Sequence, residues 1–114
     1  MSDTILRSKI TERVGPITIP AGQTVIVDTI AYAKLVSLDY NISIKDTVSG
    51  KYRAFVSTVT KKNSNVSDYI SDKTGDYINA SVNVSLNVSD VELAVTNNEV
   101  NDISLFYLKT KIGE

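Results

Sequence analysis

The stretch VSLDYNISIK, residues 36–45, decides the fold because apolar and polar residues alternate along its whole length. The apolar set is Val36, Leu38, Tyr40, Ile42 and Ile44. Alternation with a period of two is the pattern of a β-strand that buries one face and exposes the other. We therefore predict a strand here, with this apolar set facing the core.

The stretch INASVNVSLNV, residues 78–88, has the same pattern. Its apolar set is Ile78, Ala80, Val82, Val84, Leu86 and Val88, and its other face carries only asparagine and serine. Most solvent-facing strand surfaces carry charged residues, so this uncharged face is a candidate surface for a neighbouring subunit or for sugar hydroxyls. The stretch is predicted to be a second strand.

Six further segments are rich in β-branched and aromatic residues, which favour strands over helices. They are residues 4–14, 23–30, 51–60, 66–71, 91–96 and 103–112. Turn-forming residues separate them, for example Gly15-Pro16, Ser49-Gly50 and Asn97-Asn98. About eight short strands joined by short turns predict an all-β fold, an antiparallel β-sandwich of jelly-roll or immunoglobulin-like type.

The chain has 114 residues, which suits one domain with one core. We expect residues 1–14 to form an N-terminal arm or edge strand and residues 15–114 to form the β-sandwich domain. No segment has apolar residues at helical spacing over three turns, so helix is expected to be a minor element.

The composition argues against most catalytic chemistry. The chain has no cysteine and no histidine, so it lacks the residues for disulfides, for Ser-His-Asp or Cys-His catalysis and for the usual zinc sites. Two catalytic carboxylates would need a cleft between them, and a sandwich of this size leaves little room for one. We predict no catalytic residues, no cofactor and no metal, and hence a protein that is not an enzyme.

Charge and hydropathy indicate the class of partner. The net charge is −1, and no stretch is basic enough to suggest nucleic acid. No apolar run approaches the roughly 20 residues that cross a bilayer, and the first ten residues do not resemble a signal peptide. We expect a protein made in the cytoplasm whose partners are other proteins, copies of itself, or a glycan.

Several segments resemble a β-rich module of structural proteins in tailed bacteriophages. They are Leu38–Asp46, the turn and strand Gly50–Ala54 and the segment Val91–Asn97, with the opening Ile19–Thr24 upstream. Each match is short, but their order and spacing agree over residues 17–112, nearly the whole chain. The resemblance implies a virion protein, either a capsid decoration protein or a tail or fibre component. Our first hypothesis is a homo-oligomer, located in the virion, that contacts other virion proteins through the N-terminal strand and one sheet face.

The candidate interface residues fall into two groups. Ile5, Leu6, Arg7 and Lys9 are predicted to form an interface arm, and Arg53, Tyr69 and Tyr77 are further candidates. Tyr69 and Tyr77 flank an acidic hairpin, and tyrosine suits positions with one apolar and one wet side. Tyr40, Tyr52 and Tyr107 are in phase with strand alternation and are expected in the core or at its edge. The alternative function is a carbohydrate- or receptor-binding module, with Tyr77 beside Asp76 and Asn79 as a loose sugar-site pattern.

Overall fold

The computed structural model describes residues 9–113, without the side chains of residues 9, 10, 72, 73, 112 and 113. It is an all-β sandwich of two antiparallel sheets packed face to face. The described residues form eight strands: β1 (Lys9–Ile19), β2 (Thr24–Ala31), β3 (Leu35–Asp46), β4 (Tyr52–Lys62), β5 (Asn65–Gly75), β6 (Ala80–Asn87), β7 (Asp90–Asn97) and β8 (Ile103–Gly113). The predicted fold class is confirmed.

The strand order is β1-β8-β3-β4-β5 in the larger sheet and β2-β7-β6 in the smaller one. The first strand therefore pairs with the last, and the second with the one before the last, as in a jelly roll, but β3 pairs with β4, whereas a jelly roll would pair it with β6. In an immunoglobulin sandwich the first two strands share a sheet, whereas here β1 and β2 lie in different sheets. Strand β1 is an edge strand that continues past residue 14, the boundary drawn from the sequence.

The core lies between the sheets and takes its side chains from both. The strand at residues 36–45 contributes most, since Leu38, Tyr40, Ile42 and Ile44 are each at most 2% exposed. Strand β7 of the smaller sheet faces it with Leu93 and other buried residues, and β8 lies beside it in the larger sheet and adds buried residues of its own. Two apolar layers packed in this way exclude water from one continuous core, which is the main source of stability for the fold.

Three predicted core positions are wrong, for local reasons. Val36 is 41% exposed because the pairing of β3 with β8 shifts register between Leu35 and Ser37, so that Leu35 is buried in its place. Val88 is 93% exposed because it lies in the turn between β6 and β7. Tyr52 is 56% exposed, since it lies opposite Lys45 on the outer face of the larger sheet.

The one helical element among the described residues is a single 3-10 turn, Tyr32–Lys34, between β2 and β3. No helix in this part of the chain is long and apolar enough to cross a membrane. Helix is a minor element here, as the sequence predicts.

Candidate functional site

A buried polar cluster joins the two sheets. Asp28 on β2 accepts a hydrogen bond from the Tyr40 hydroxyl at 2.6 Å and forms an ion pair with Lys109 at 2.9 Å. The Tyr107 hydroxyl donates to the carbonyl of Val27 at 3.1 Å. The two tyrosine rings meet edge to face, with centroids 5.7 Å apart. These contacts tie β2 of the smaller sheet to β3 and β8 of the larger one.

The cluster holds both tyrosines in the protonated form. Burial, followed by the hydrogen bond to Asp28, raises the pKa of Tyr40 far above its usual value. Burial and the nearby charge of Asp28 raise the pKa of Tyr107 in the same direction. Both phenols therefore act as hydrogen-bond donors, to the Asp28 carboxylate and to the Val27 carbonyl, and these bonds link the two sheets.

The outer face of the larger sheet carries a shallow trough of about 290 Å³. We call it the outer trough and define it by Arg13, Asn41, Ser43, Phe106 and Leu108. These residues come from neighbouring strands, because Leu108 pairs with both Arg13 and Asn41, and Phe106 pairs with Ser43. A smaller hollow of about 90 Å³, also lined by Ser43, adjoins it. Phe106 and Leu108 are each 40% exposed.

The position of β8 explains why two large apolar side chains reach solvent. Leu105 and Tyr107 point into the core, so the alternation of the strand directs Phe106 and Leu108 to the opposite face. Gly15 lies against this face, since a Cβ there would come within 2.9 Å of the Phe106 ring. Only glycine allows β1 to approach so closely, and its backbone supports one side of the ring.

Arg53 and Tyr77, two predicted interface residues, are brought together. The guanidinium of Arg53 lies between two rings, 4.6 Å from the Phe55 centroid and 5.4 Å from the Tyr77 centroid. Its Nη1 also donates to the carbonyl of Ile78 at 2.5 Å. Tyr77 is 70% exposed. The arginine thus fixes the segment that leads from β5 into β6 and presents the Tyr77 ring to solvent.

Tyr69 does not join this pair. It pairs with Thr58 on β4, whereas Arg53 pairs with Gly75, so about 16 Å of strand separates the two positions. Tyr69 is nevertheless 70% exposed, on the same outer face as Thr58.

The predicted interface arm falls mostly outside the described residues. Ile5, Leu6 and Arg7 lie outside them, and Lys9 is the first residue of β1, opposite Ile112. The arm stays a prediction.

The uncharged face of residues 78–88 lies on the solvent side of the smaller sheet. Ser81, Asn83, Ser85 and Asn87 are all exposed, and Asn87 donates to Glu92 on β7 at 3.3 Å. Asn79, just before the strand, donates its backbone N–H to Glu99 at 2.5 Å. The side chains of β6 on this surface are polar and uncharged, and Glu92 of β7 and Glu99 are the carboxylates that contact it.

Within residues 9–113, where side chains are described, no group of three or more Asp and Glu could hold a metal ion. No protein-family model matches the chain, and a comparison with curated proteins found no match. The function is therefore inferred from the geometry of the surface and from the resemblance described above.

The outer trough is not among the sites predicted from the sequence. Its apolar residues, Phe106 and Leu108, alternate with the core residues Leu105 and Tyr107 in one uninterrupted apolar run. A half-buried strand of an antiparallel sheet is expected to alternate, so an uninterrupted apolar run indicates that apolar side chains also reach the outer face. This run is the feature of the sequence that could have predicted the outer trough.

Proposed function

We propose that this chain is a structural protein of a tailed-bacteriophage virion, either a capsid decoration protein or a tail-associated protein, and that it acts by protein–protein contacts. The resemblance over residues 17–112 supports the virion assignment. The observation that supports the contact role is the outer trough, where Phe106 and Leu108, two positions apart on β8, are both 40% exposed beside Arg13. The proposal assigns no catalytic residue and no cofactor to the chain.

The composition of the outer trough suits a protein partner. Interfaces are enriched in aromatic residues and arginine and depleted in other charged residues, and the trough combines Phe106 and Leu108 with Arg13. Its volume of about 290 Å³ lies at the lower limit for small-molecule pockets, and it is shallow. A side chain from another subunit would fill such a depression and remove the two apolar residues from water.

Co-sedimentation with the particle tests this role. Phage particles from cells that express the chain are separated on a density gradient, and the chain is detected in each fraction. The wild-type chain should migrate with intact particles, and Leu108→Lys should leave it at the top of the gradient, because a lysine charge in the trough opposes burial. A wild-type chain that stays at the top beside intact particles would overturn the proposal.

Ile26→Lys is the matched control. Ile26 is 53% exposed on the outer face of the smaller sheet, so the substitution adds the same charge to a similarly exposed apolar position away from the trough. This variant should still migrate with the particle. Circular dichroism of both variants shows whether each is folded.

The predicted arm is tested by removing residues 1–8. This truncation leaves β1 complete from Lys9, whereas removal of residues 1–14 would also destroy half of an edge strand that pairs with β8. If Ile5, Leu6 and Arg7 contact the particle, the truncated chain should bind it more weakly. Unchanged binding would exclude the arm while leaving the outer trough as the contact.

A carbohydrate-binding module is the second candidate, and the position of Tyr77 favours it. Its ring is 70% exposed and supported by Arg53, and the Asp76 carboxylate beside it accepts the backbone N–H of Tyr52 at 3.2 Å. An exposed ring beside polar groups can stack on a sugar and bond to its hydroxyls. Binding on a glycan array that Tyr77→Ala abolishes, and Tyr69→Ala does not, would establish this function. No binding at high protein concentration would exclude it.

A further inference from the structure

The two sheets have four edges in the described part of the chain, formed by β1, β5, β2 and β6. Exposed strand edges pair with other chains unless bulges, proline or charge prevent it. Three of the edges have such features. Strand β1 has a register shift and Pro16, β2 has a shift between Ile26 and Asp28, and β5 has a shift in its pairing with β4 and carries Asp68.

The edge formed by β6 has none of these features. Its pairing with β7 runs without a shift from Ala80 to Asn87, and its sequence ASVNVSLN contains no charged residue and no proline. It is therefore a regular, uncharged edge eight residues long. Such an edge is a template for a further strand.

The register shows which backbone groups face outward. The N–H of Asn98 donates to the carbonyl of Asn79 at 2.9 Å, so Ala80 and Asn97 form a pair without mutual hydrogen bonds. Because hydrogen-bonded and non-hydrogen-bonded pairs alternate along an antiparallel ladder, the backbone groups of Ser81, Asn83 and Ser85 bond to β7. The N–H and C=O groups of Val82, Val84 and Leu86 point to the open edge.

The side chains at this edge are incompletely covered. Val84 is buried, but Val82 and Leu86 are only partly buried against the core. A strand added beside β6 would bond to the outward backbone groups and also cover these two side chains.

The β6 sequence is complementary to itself. When two copies pair antiparallel about a two-fold axis at Val84, Val82 lies opposite Leu86 on the core side. On the solvent side Asn83 lies opposite Ser85, and Ser81 opposite Asn87. Every pair then joins two apolar residues or two small hydrogen-bonding residues, with no charge repulsion. The outward groups of Val82, Val84 and Leu86 meet each other in register.

We propose that β6 pairs with β6 of a second copy of this chain. This pairing joins the two smaller sheets into one continuous six-stranded sheet. A closed two-fold pairing uses the same edge on both copies and leaves no further open β6 edge, so it gives a dimer and not a fibre. The proposal does not depend on the virion role, because the outer trough lies on the other sheet and stays free.

Light scattering and sedimentation over a wide range of protein concentrations test the dimer. The wild-type mass should double as concentration rises. Asn83→Lys/Ser85→Lys should remain monomeric, because the new lysines face each other across the axis while their side chains stay on the solvent side of β6. Asn83→Asp/Ser85→Asp should also be monomeric, and an equimolar mixture of the two variants should restore the doubled mass through opposite charges.

Two controls make the result specific. Ile26→Lys/Thr29→Lys places two lysines on the exposed face of β2, at the opposite edge of the same sheet, and should dimerise as the wild type does. Hydrogen exchange should show protection of the Val82, Val84 and Leu86 amides that is lost on dilution. A wild-type chain that stays monomeric at the highest concentration, or a lysine variant that still dimerises, would overturn the proposal.

Discussion

Lys109 on β8 and Asp28 on β2 form an ion pair across the interior of the sandwich, with 2.9 Å between Nζ and Oδ2 and side chains only 9% and 14% exposed. Two charges taken this far out of water are tolerated because each neutralises the other. The Tyr40 hydroxyl bonds to the same carboxylate oxygen and satisfies it further. Removing one charge leaves the other buried without compensation. The resulting loss of folding stability is larger than the net stability that the intact pair contributes.

Lys109→Met should therefore lower the free energy of unfolding by about 3 kcal/mol. The double variant Lys109→Met/Asp28→Asn should lose clearly less than the sum of the two single changes, because it leaves no uncompensated charge and keeps an oxygen acceptor for Tyr40. Urea unfolding of all four chains measures the coupling. Additivity of the single losses within about 0.5 kcal/mol would show that the two residues do not stabilise each other.

The tyrosines of the buried cluster should resist ionisation. Their pKa values are raised in the folded state, so their contribution to stability is complete below the ordinary tyrosine pKa of about 10 and is lost as pH rises through the raised values. In an alkaline titration, two of the six tyrosines should form tyrosinate only as the chain unfolds. Tyr40→Phe and Tyr107→Phe should each remove one of these two from the late phase of the absorbance change. Complete ionisation with a native circular dichroism spectrum would contradict this expectation.

The strands could be predicted because alternation is a local property of the sequence. All eight observed strands overlap predicted ones, and β3 and β6 were the clearest. The errors at Val36 and Val88 arise where a register shift or a turn breaks the alternation, and both depend on how neighbouring strands pair. Lys109 is in phase with Leu105 and Tyr107, so its inward direction follows from the sequence.

The partner of Lys109 and the location of the outer trough depend on topology. Asp28 reaches the core through a register shift in β2. The trough forms because β8, the last strand, lies between β1 and β3 and brings Arg13 and Asn41 to either side of Leu108. Strand order of this kind joins residues far apart in the chain, and alternation carries no information about it.

Ser57 is a site where a substitution should stabilise the protein. Its side chain is 0% exposed, opposite Tyr40 on the core side of β4, and its hydroxyl has no hydrogen-bond partner among the described residues. Ser57→Ala removes a buried, unsatisfied group at little change in volume and should raise the free energy of unfolding by about 1 kcal/mol. Thr58→Ala is the contrasting variant, since the Thr58 hydroxyl donates to Asp39 at 2.9 Å and its loss should lower stability. Equal effects of the two changes in urea unfolding would contradict this account.

Asp46 should make stability depend on pH in the acid range. Its carboxylate accepts the backbone N–H groups of Ser49 and Val48 at 3.0 and 2.9 Å, which lowers its pKa. A carboxyl with a lowered pKa stabilises the fold above its unfolded pKa of about 4, and this stabilisation is lost as pH falls through the folded value. Asp46→Asn should therefore flatten the decline in thermal stability at acid pH. An unchanged pH profile would show that the turn between β3 and β4 does not depend on the charge.

Val88 is held in an unfavourable backbone conformation at the turn between β6 and β7. Its φ is +59°, a region that β-branched residues strongly disfavour, and its side chain is 93% exposed, so it gains almost nothing from packing. Val88→Asn should raise the free energy of unfolding by about 1 kcal/mol, because asparagine tolerates this conformation. The expected rise in melting temperature is about 4 °C. Val100→Asn is the matched control, since Val100 is 89% exposed and is not among the residues with positive φ. If both substitutions shift the melting temperature equally, backbone strain at Val88 is not the cause, and the effect comes from replacing an exposed valine.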